Sequence, residues 1–184
     1  MKKGIVSLGI LVVISGSYSF SRDRRSSSTP IPSLLAAPRP TKETKVHNIG
    51  DLWSMVSNFG NYGDPNSDFP SYDWPGGTRN YYLWEGRFWF GAMVGGVPRV
   101  SHADYGNYEL SPSDGSSIIS GKGTSMWDIT TQFDDYDPSS NIDPLGVKVI
   151  QKAFAWSVPT YDDFIAYEYK LINMGMYLKM YIFF

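Results

Sequence analysis

One acidic stretch, FDDYDPSSNID at residues 133–143, has the residue types and spacing of a metal-ion loop. Counted from the second of its paired aspartates, oxygen-bearing side chains recur at every other position: Asp135, Asp137, Ser139, Asn141 and Asp143. Calcium loops fold alternate oxygen ligands around one hard cation, so this spacing predicts a calcium site. Calcium is the one cofactor that the sequence suggests. Ser140 replaces the usual glycine and Gly146 the usual bidentate glutamate, which favours the alternative of a solvated acidic turn.

Aromatic residues in a long non-periodic stretch form a second candidate site, here for an extracellular glycan. Tyr62, Tyr72 and Trp74 lie among glycine, proline and Asx residues rather than in predicted strands. Flat amphipathic rings can stack on sugars while nearby Asp and Asn side chains bond the hydroxyls. Packing of the same loop onto a sheet is an equal alternative. Four tryptophans at predicted strand positions are expected in the core instead: Trp84, Trp89, Trp127 and Trp156.

No residue pattern predicts an enzyme. Paired carboxylates could be chosen from Glu85, Glu109, Glu168 and many aspartates, so the presence of such a pair discriminates nothing. His47 and His102 are not accompanied by a serine in a G-x-S-x-G setting, and the sequence has no phosphate-binding glycine loop. We therefore expect a non-enzymatic protein with no catalytic residues.

The elements that must position these residues are predicted to be strands. Apolar and polar side chains alternate over residues 127–133 and 165–171, and residues 146–156 are predicted to pair with the second of these. Gly95-Gly96 offers a turn between two further strand-like segments. Frequent turn residues, many aromatics and the lack of an amphipathic helix predict an all-β fold, an antiparallel sandwich or open barrel with long irregular loops.

The N-terminus has the three parts of a secretory signal peptide. Two lysines precede an apolar run over residues 5–14, and a small-residue stretch follows at residues 15–19. This run is shorter than the roughly 20 residues that cross a bilayer, so we predict a cleaved leader over residues 1–19 and no membrane span after its removal. Residues 20–45 are predicted to be a flexible linker and residues 46–184 a β-rich domain. The expected location is secreted, either extracellular or at the cell surface.

Charge and cysteine content limit the classes of partner and of stabilising bond. From Thr41 onward, ten basic residues face seventeen acidic ones, so the body of the protein carries a net charge of −7. An acidic body disfavours nucleic acid as a partner. The chain has no cysteine, which excludes disulfides and thiolate metal sites. Stability is therefore expected to come from core packing.

The C-terminal run YLKMYIFF, residues 177–184, is strand-like and has no polar cap. An exposed apolar edge invites association, so we expect self-association through this strand or cover by a partner. The same feature predicts that the domain is incomplete at its C-terminus.

Three stretches resemble the N-terminal region of large secreted bacterial β-rich proteins. They are NIGDLWSMVSNFGNYG at residues 48–63, YYLWEGRFWFGAMVGGVPRVS at 81–101, and DPLGVKVIQKAFAWSVPTYDDFIAYEYKLINMG at 143–175. Proteins of that group often end in a cell-surface sorting or immunoglobulin-like module, and beside them this chain looks truncated. The shared residues are structural glycines, aromatics and turn residues, so the resemblance implies no catalytic residues.

These observations predict a secreted, non-enzymatic β-rich module with a structural or adhesive role. Other surface proteins or an extracellular glycan are the expected partners. The alternative is a glycan-binding module, or the non-catalytic front end of a polysaccharide-processing enzyme.

Overall fold

The computed structural model describes residues 12–14, 41–104, 107–113, 117–174 and 179–183. The predicted leader and linker lie largely outside these residues. The described chain is built from strands and one short 3-10 helix, Pro65–Ser67. In chain order the strands are β1 Val12–Ile14, β2 Thr44–His47, β3 Trp53–Ser57, β4 Asn61–Tyr62, β5 Ser71–Asp73, β6 Gly86–Arg87, β7 Trp89–Val94, β8 Val97–Asp104, β9 Asn107–Tyr108, β10 Ser111–Pro112, β11 Ile119–Gly121, β12 Trp127–Asp134, β13 Val147–Ala155, β14 Ile165–Asn173 and β15 Lys179–Phe183.

Among the described residues these strands form three open sheets. The largest has the order β1-β14-β13-β12-β10, with β11 also on β12. A second sheet runs β15-β7-β8-β9, and a third runs β2-β3-β4-β6 with β5 also on β3. All pairings are antiparallel except that of β1 with β14. The prediction of an all-β, largely antiparallel fold is therefore confirmed.

The long strands of the largest sheet follow the predicted alternation. Along β13 every second side chain is buried, and β14 repeats the pattern from Ile165 to Tyr169. Side chains on successive positions of a strand point to opposite faces, so this sheet has one face in the core and one toward solvent. Buried apolar residues from all three sheets join in one core, including Val56, Phe88, Phe90, Ile129, Phe133, Val149 and Tyr167.

The predicted hairpin at Gly95-Gly96 is present, with Val94 opposite Val97 at its end. Both glycines have positive φ angles, 59° and 83°, which explains why this turn needs glycine. The sequence predicts a strand over residues 81–94, before the hairpin turn. In the structure Tyr81 to Glu85 lie outside any strand. The C-terminal strand β15 pairs with β7 over five residues, so one of its edges is covered within the chain.

Candidate functional site

A rigid loop at one end of the third sheet brings aromatic and charged side chains together. We call residues 68–85 the aromatic loop. Asp73, on β5, is almost fully buried and holds the turn that follows it: its Oδ2 accepts from the Gly77 amide at 3.0 Å and its Oδ1 from the Thr78 hydroxyl at 3.3 Å. The Tyr82 amide also donates to the Tyr72 carbonyl at 3.1 Å. These bonds fix the backbone before any ligand arrives.

The ring of Trp53 packs against the aromatic loop at Gly76 and Gly77. Its Nε1 donates to the Gly50 carbonyl at 2.8 Å, which fixes the plane of the indole ring. Gly76 lies against that ring so closely that an added Cβ would overlap it, and the Gly76 amide donates to the Asp51 carbonyl at 2.6 Å. Glycine is therefore required at this position by the close approach of the backbone to a ring.

An open cavity of about 160 Å³ lies beside this support. Trp53, Asp73 and Tyr81 contribute to its lining, together with an ion pair between Asp68 and Arg79 at 2.6 Å. The side chains of this pair are about two-thirds exposed. Both residues have positive φ angles, 63° and 61°, an uncommon conformation for residues other than glycine. Such backbone conformations are concentrated at functional sites, which supports this cavity as the candidate functional site.

Two rings next to the cavity face solvent. Tyr82 is 57% exposed and Trp84 is 55% exposed. Each is held by one edge-to-face contact: Tyr82 against Trp74 at 6.0 Å and Trp84 against Tyr81 at 6.2 Å between ring centroids. The planes cross at 82° in the first pair and at 87° in the second, so neither pair forms a flat platform.

The tyrosines predicted to bind a glycan lie in the core instead. Tyr62 is on β4 and Tyr72 on β5, and both are buried. Tyr62 donates to Gln151 Oε1 at 2.5 Å, while Tyr72 donates to the Tyr167 hydroxyl at 3.1 Å. Burial raises the pKa of both hydroxyls, so they stay protonated. The expectation of two loop aromatics is corrected, because short strands carry them and their hydroxyls find partners inside.

Trp74, the third predicted residue, lies in the part of the aromatic loop that is outside the strands. Its ring is partly buried against the core and contacts Tyr82.

Trp84 and Trp89 show the reverse error: the sequence predicts both in the core and both are exposed, Trp89 although it lies on β7. Trp127 and Trp156, expected in the core as well, are only partly buried. The neighbours Tyr81 to Trp84 have high β propensity, yet Tyr81 forms a single bridge with Asp73, and residues 82–84 lie outside any strand. Asp68 and Arg79 carry no sequence signal that marks them as partners across ten residues.

The predicted calcium residues lie in a turn between β12 and β13, which we call the acidic turn, residues 134–146. Asp135 is fully buried. Its Oδ1 accepts from the amides of Gly146 and Val147 at 3.1 and 2.9 Å, and its Oδ2 accepts from the Leu145 amide at 2.5 Å and the Ser101 hydroxyl at 2.8 Å. This carboxylate is therefore used to close the turn and to attach it to β8.

The other four predicted ligands also have partners within the protein. Asp137 accepts from the amide and hydroxyl of Ser139, at 3.0 and 2.6 Å. Asn141 is buried and donates to Ser101, whereas Asp143 is exposed and pairs with Arg99 at 2.9 Å. Among the described residues, no group of three or more His, Asp or Glu side chains is placed to hold a metal ion. Calcium binding stays a prediction.

Comparison with known protein families, curated proteins and solved structures found no match to this chain. Within the described ranges, no helix has the length and apolar character needed to span a membrane. The site must therefore be interpreted from its own geometry.

Proposed function

We propose that the chain is an exported, non-catalytic β-rich module with an adhesive or structural role, and that the aromatic loop is its contact surface. The observation that carries this proposal is the exposure of Tyr82 and Trp84 on a loop whose backbone is fixed by hydrogen bonds. Large rings with few rotatable bonds give much contact area for little loss of conformational entropy. The leader-like residues 1–19 and the resemblance to the front of large secreted bacterial proteins support an extracellular setting.

The charges around the rings fit a contact role. Asp68 and Arg79 pair at the mouth of the cavity and remain well exposed, so either can exchange its partner for a group on a bound surface. An exposed pair of this kind contributes little to stability, which leaves it available for binding. Tyr81 lies between the cavity and the Trp84 ring, so the polar and aromatic groups form one continuous patch.

Retention on a solid surface tests the proposal. The protein exported by a bacterial host would be passed over purified cell-wall sacculi, an insoluble polysaccharide and a protein-coated resin. We expect retention on at least one of these, and Trp84→Ala should weaken it about tenfold, because centrally placed aromatic contacts dominate interfaces. Ile142→Ala is the matched control, since Ile142 is 94% exposed but lies in the acidic turn. Equal losses in the two variants would contradict the proposal.

Glycan binding is the second candidate, and the cavity favours it. Its lining combines two aromatic side chains, Trp53 and Tyr81, with carboxylates and a guanidinium that can bond sugar hydroxyls. Glycan binding would also suit the non-catalytic front end of a polysaccharide-processing enzyme. It predicts that soluble oligosaccharides displace the retained protein and that Arg79→Ala lowers polysaccharide retention about tenfold. Retention on protein-coated resin alone would exclude this candidate.

A further inference from the structure

The outermost long strand of the largest sheet is β14, and its outer edge is suited to pairing with a further strand. β14 pairs with β13 over all nine of its residues, from Ile165 opposite Ala155 to Asn173 opposite Val147, and the register is unbroken. On its other side, the strand neighbour within the described chain is β1, which pairs in parallel with residues 167–169. β1 lies inside the predicted leader.

Removal of the leader would therefore remove the strand that pairs with residues 167–169 of β14. This step rests on the export part of the proposed function. Proteins usually protect long edges with prolines, bulges or short strands. β14 has no proline and no bulge, and its solvent-facing side carries one acid and one base, Glu168 and Lys170. A single lysine discourages pairing, whereas an acid and a base two residues apart can complement a second copy of themselves.

We propose that leader removal opens β14 and that a second copy of this chain binds there, strand β14 against strand β14 in antiparallel orientation. Placing Tyr169 opposite Tyr169 of the second copy sets Glu168 opposite Lys170, and the two-fold symmetry repeats this pair on the other side. Opposite charges directly across an antiparallel pair are stabilising, and like charges there are destabilising.

The neighbouring residues support the same register. Lys152 on β13 lies opposite Glu168 and is exposed, so in the dimer this acid is placed between two lysines. Ala166 comes opposite Ile172, which pairs two apolar side chains on the same face. Shifting the pairing by two residues in either direction moves Lys170 away from Glu168 and loses both ion pairs. The charges therefore select one register.

The test compares the chain before and after export. The uncleaved chain, purified from the cytosol, should be a monomer in sedimentation velocity, because β1 occupies residues 167–169, where the proposed pairing is centred. The exported chain, with its N-terminus defined by mass spectrometry, should form a dimer. E168K and K170E should each weaken that dimer at least about tenfold, since each places like charges opposite one another twice. K122E makes the same charge change as K170E, but in the β11–β12 connection, and should leave the dimer intact.

Mixing the two variants gives the most specific result. In a pair of E168K and K170E, lysines at 168 and 170 of one chain face glutamates at 170 and 168 of the other. The equimolar mixture should therefore dimerise at least about tenfold more tightly than either variant alone. This rescue also shows that both variants are folded.

The negative outcomes are separable. An exported product that still carries residues 1–19 contradicts both the export proposal and this inference. A cleaved product that stays monomeric contradicts the inference alone. A dimer that is insensitive to E168K and K170E also overturns the inference, and it would direct attention to the C-terminal strand β15 as the association site.

Discussion

The acidic turn and the aromatic loop use their polar side chains in opposite ways. In the acidic turn, Asp135 is fully buried and its two oxygens accept four hydrogen bonds. In the aromatic loop, Asp73 closes the backbone while Asp68 and Arg79 stay exposed beside a cavity. The same residue types thus serve as internal support in one region and as a surface for contact in the other.

The difference teaches that a run of acids identifies a site only when its oxygens have no internal donors. The acidic turn follows a strand and doubles back to the next, so Asp135 faces the amides of residues 145–147 and accepts from all three. In the aromatic loop, one buried aspartate accepts from the Gly77 amide and the Thr78 hydroxyl, while Asp68 and Arg79 stay exposed. Stability should therefore depend on the acidic turn and binding on the aromatic loop.

Loss of the buried carboxylate should have the largest effect. Asp135→Ala leaves three buried amides and a hydroxyl without their acceptor, so we expect the free energy of unfolding to fall by about 4 kcal/mol. Urea denaturation followed by tryptophan fluorescence measures this. Asp143→Ala, in the same turn, removes only the exposed ion pair with Arg99 and should cost less than about 1 kcal/mol. Similar losses of unfolding free energy in both variants would show that Asp135 does not support the acidic turn.

Acid should weaken the structure that supports the aromatic loop. Burial lowers the pKa of His47 to about 4, although the Ala153 carbonyl opposes this shift, and His47 pairs with Ser54 next to Trp53. Below its ordinary pKa of 6.5, the imidazole takes up a proton in the unfolded chain but not in the folded one. Stability should therefore be full above pH 6.5 and decline toward pH 4, with a loss of about 2 kcal/mol between pH 7 and 5.

The matched variants for this pH dependence are His47→Gln and His102→Gln. Urea denaturation at pH 7, 6 and 5 should show that His47→Gln removes most of the decline, while His102→Gln preserves it. A decline of the same size in His47→Gln would assign the pH dependence to other groups.

A methyl group at the loop's closest contact should cost less. Gly76→Ala places a Cβ in the space of the Trp53 ring, and overpacking of this kind costs about 1.5 kcal/mol. Surface retention should fall as well, because the ring supports the cavity. Gly121→Ala is the control, since a Cβ there meets no atom within 4 Å. Thermal and urea unfolding of the pair would test this, and a fully tolerated Gly76→Ala would argue against a fixed loop.

Calcium should have the smallest effect. Because the carboxylates of the acidic turn are bonded to separate internal partners, we expect millimolar calcium to change Tm by less than about 1 °C. Differential scanning fluorimetry with calcium, magnesium and a chelator measures the shift. A calcium-specific rise of several degrees that is lost in Asp137→Ala would restore the cation site and reverse the contrast between the two regions.

Local patterns were enough to predict the three long strands of the largest sheet, because β12, β13 and β14 each have one buried and one solvated face. The hairpin at Gly95-Gly96 was also predictable, since its turn needs positive φ angles. The candidate site was not. Asp135 accepts from a hydroxyl 34 residues away on β8, and Tyr82, close to Trp84 in the chain, is bonded to Tyr72 and packed against Trp74. Neither relation leaves a trace in the local sequence.

The most direct test is hydroxyl-radical footprinting of the exported protein, free and retained on the surface that binds it. If the aromatic loop is the contact surface, oxidation of Tyr82 and Trp84 should fall severalfold on binding, while oxidation of Ile142 and Tyr136 in the acidic turn stays unchanged. Protection of Tyr136 and Ile142 with unchanged oxidation of Tyr82 and Trp84 would contradict the account.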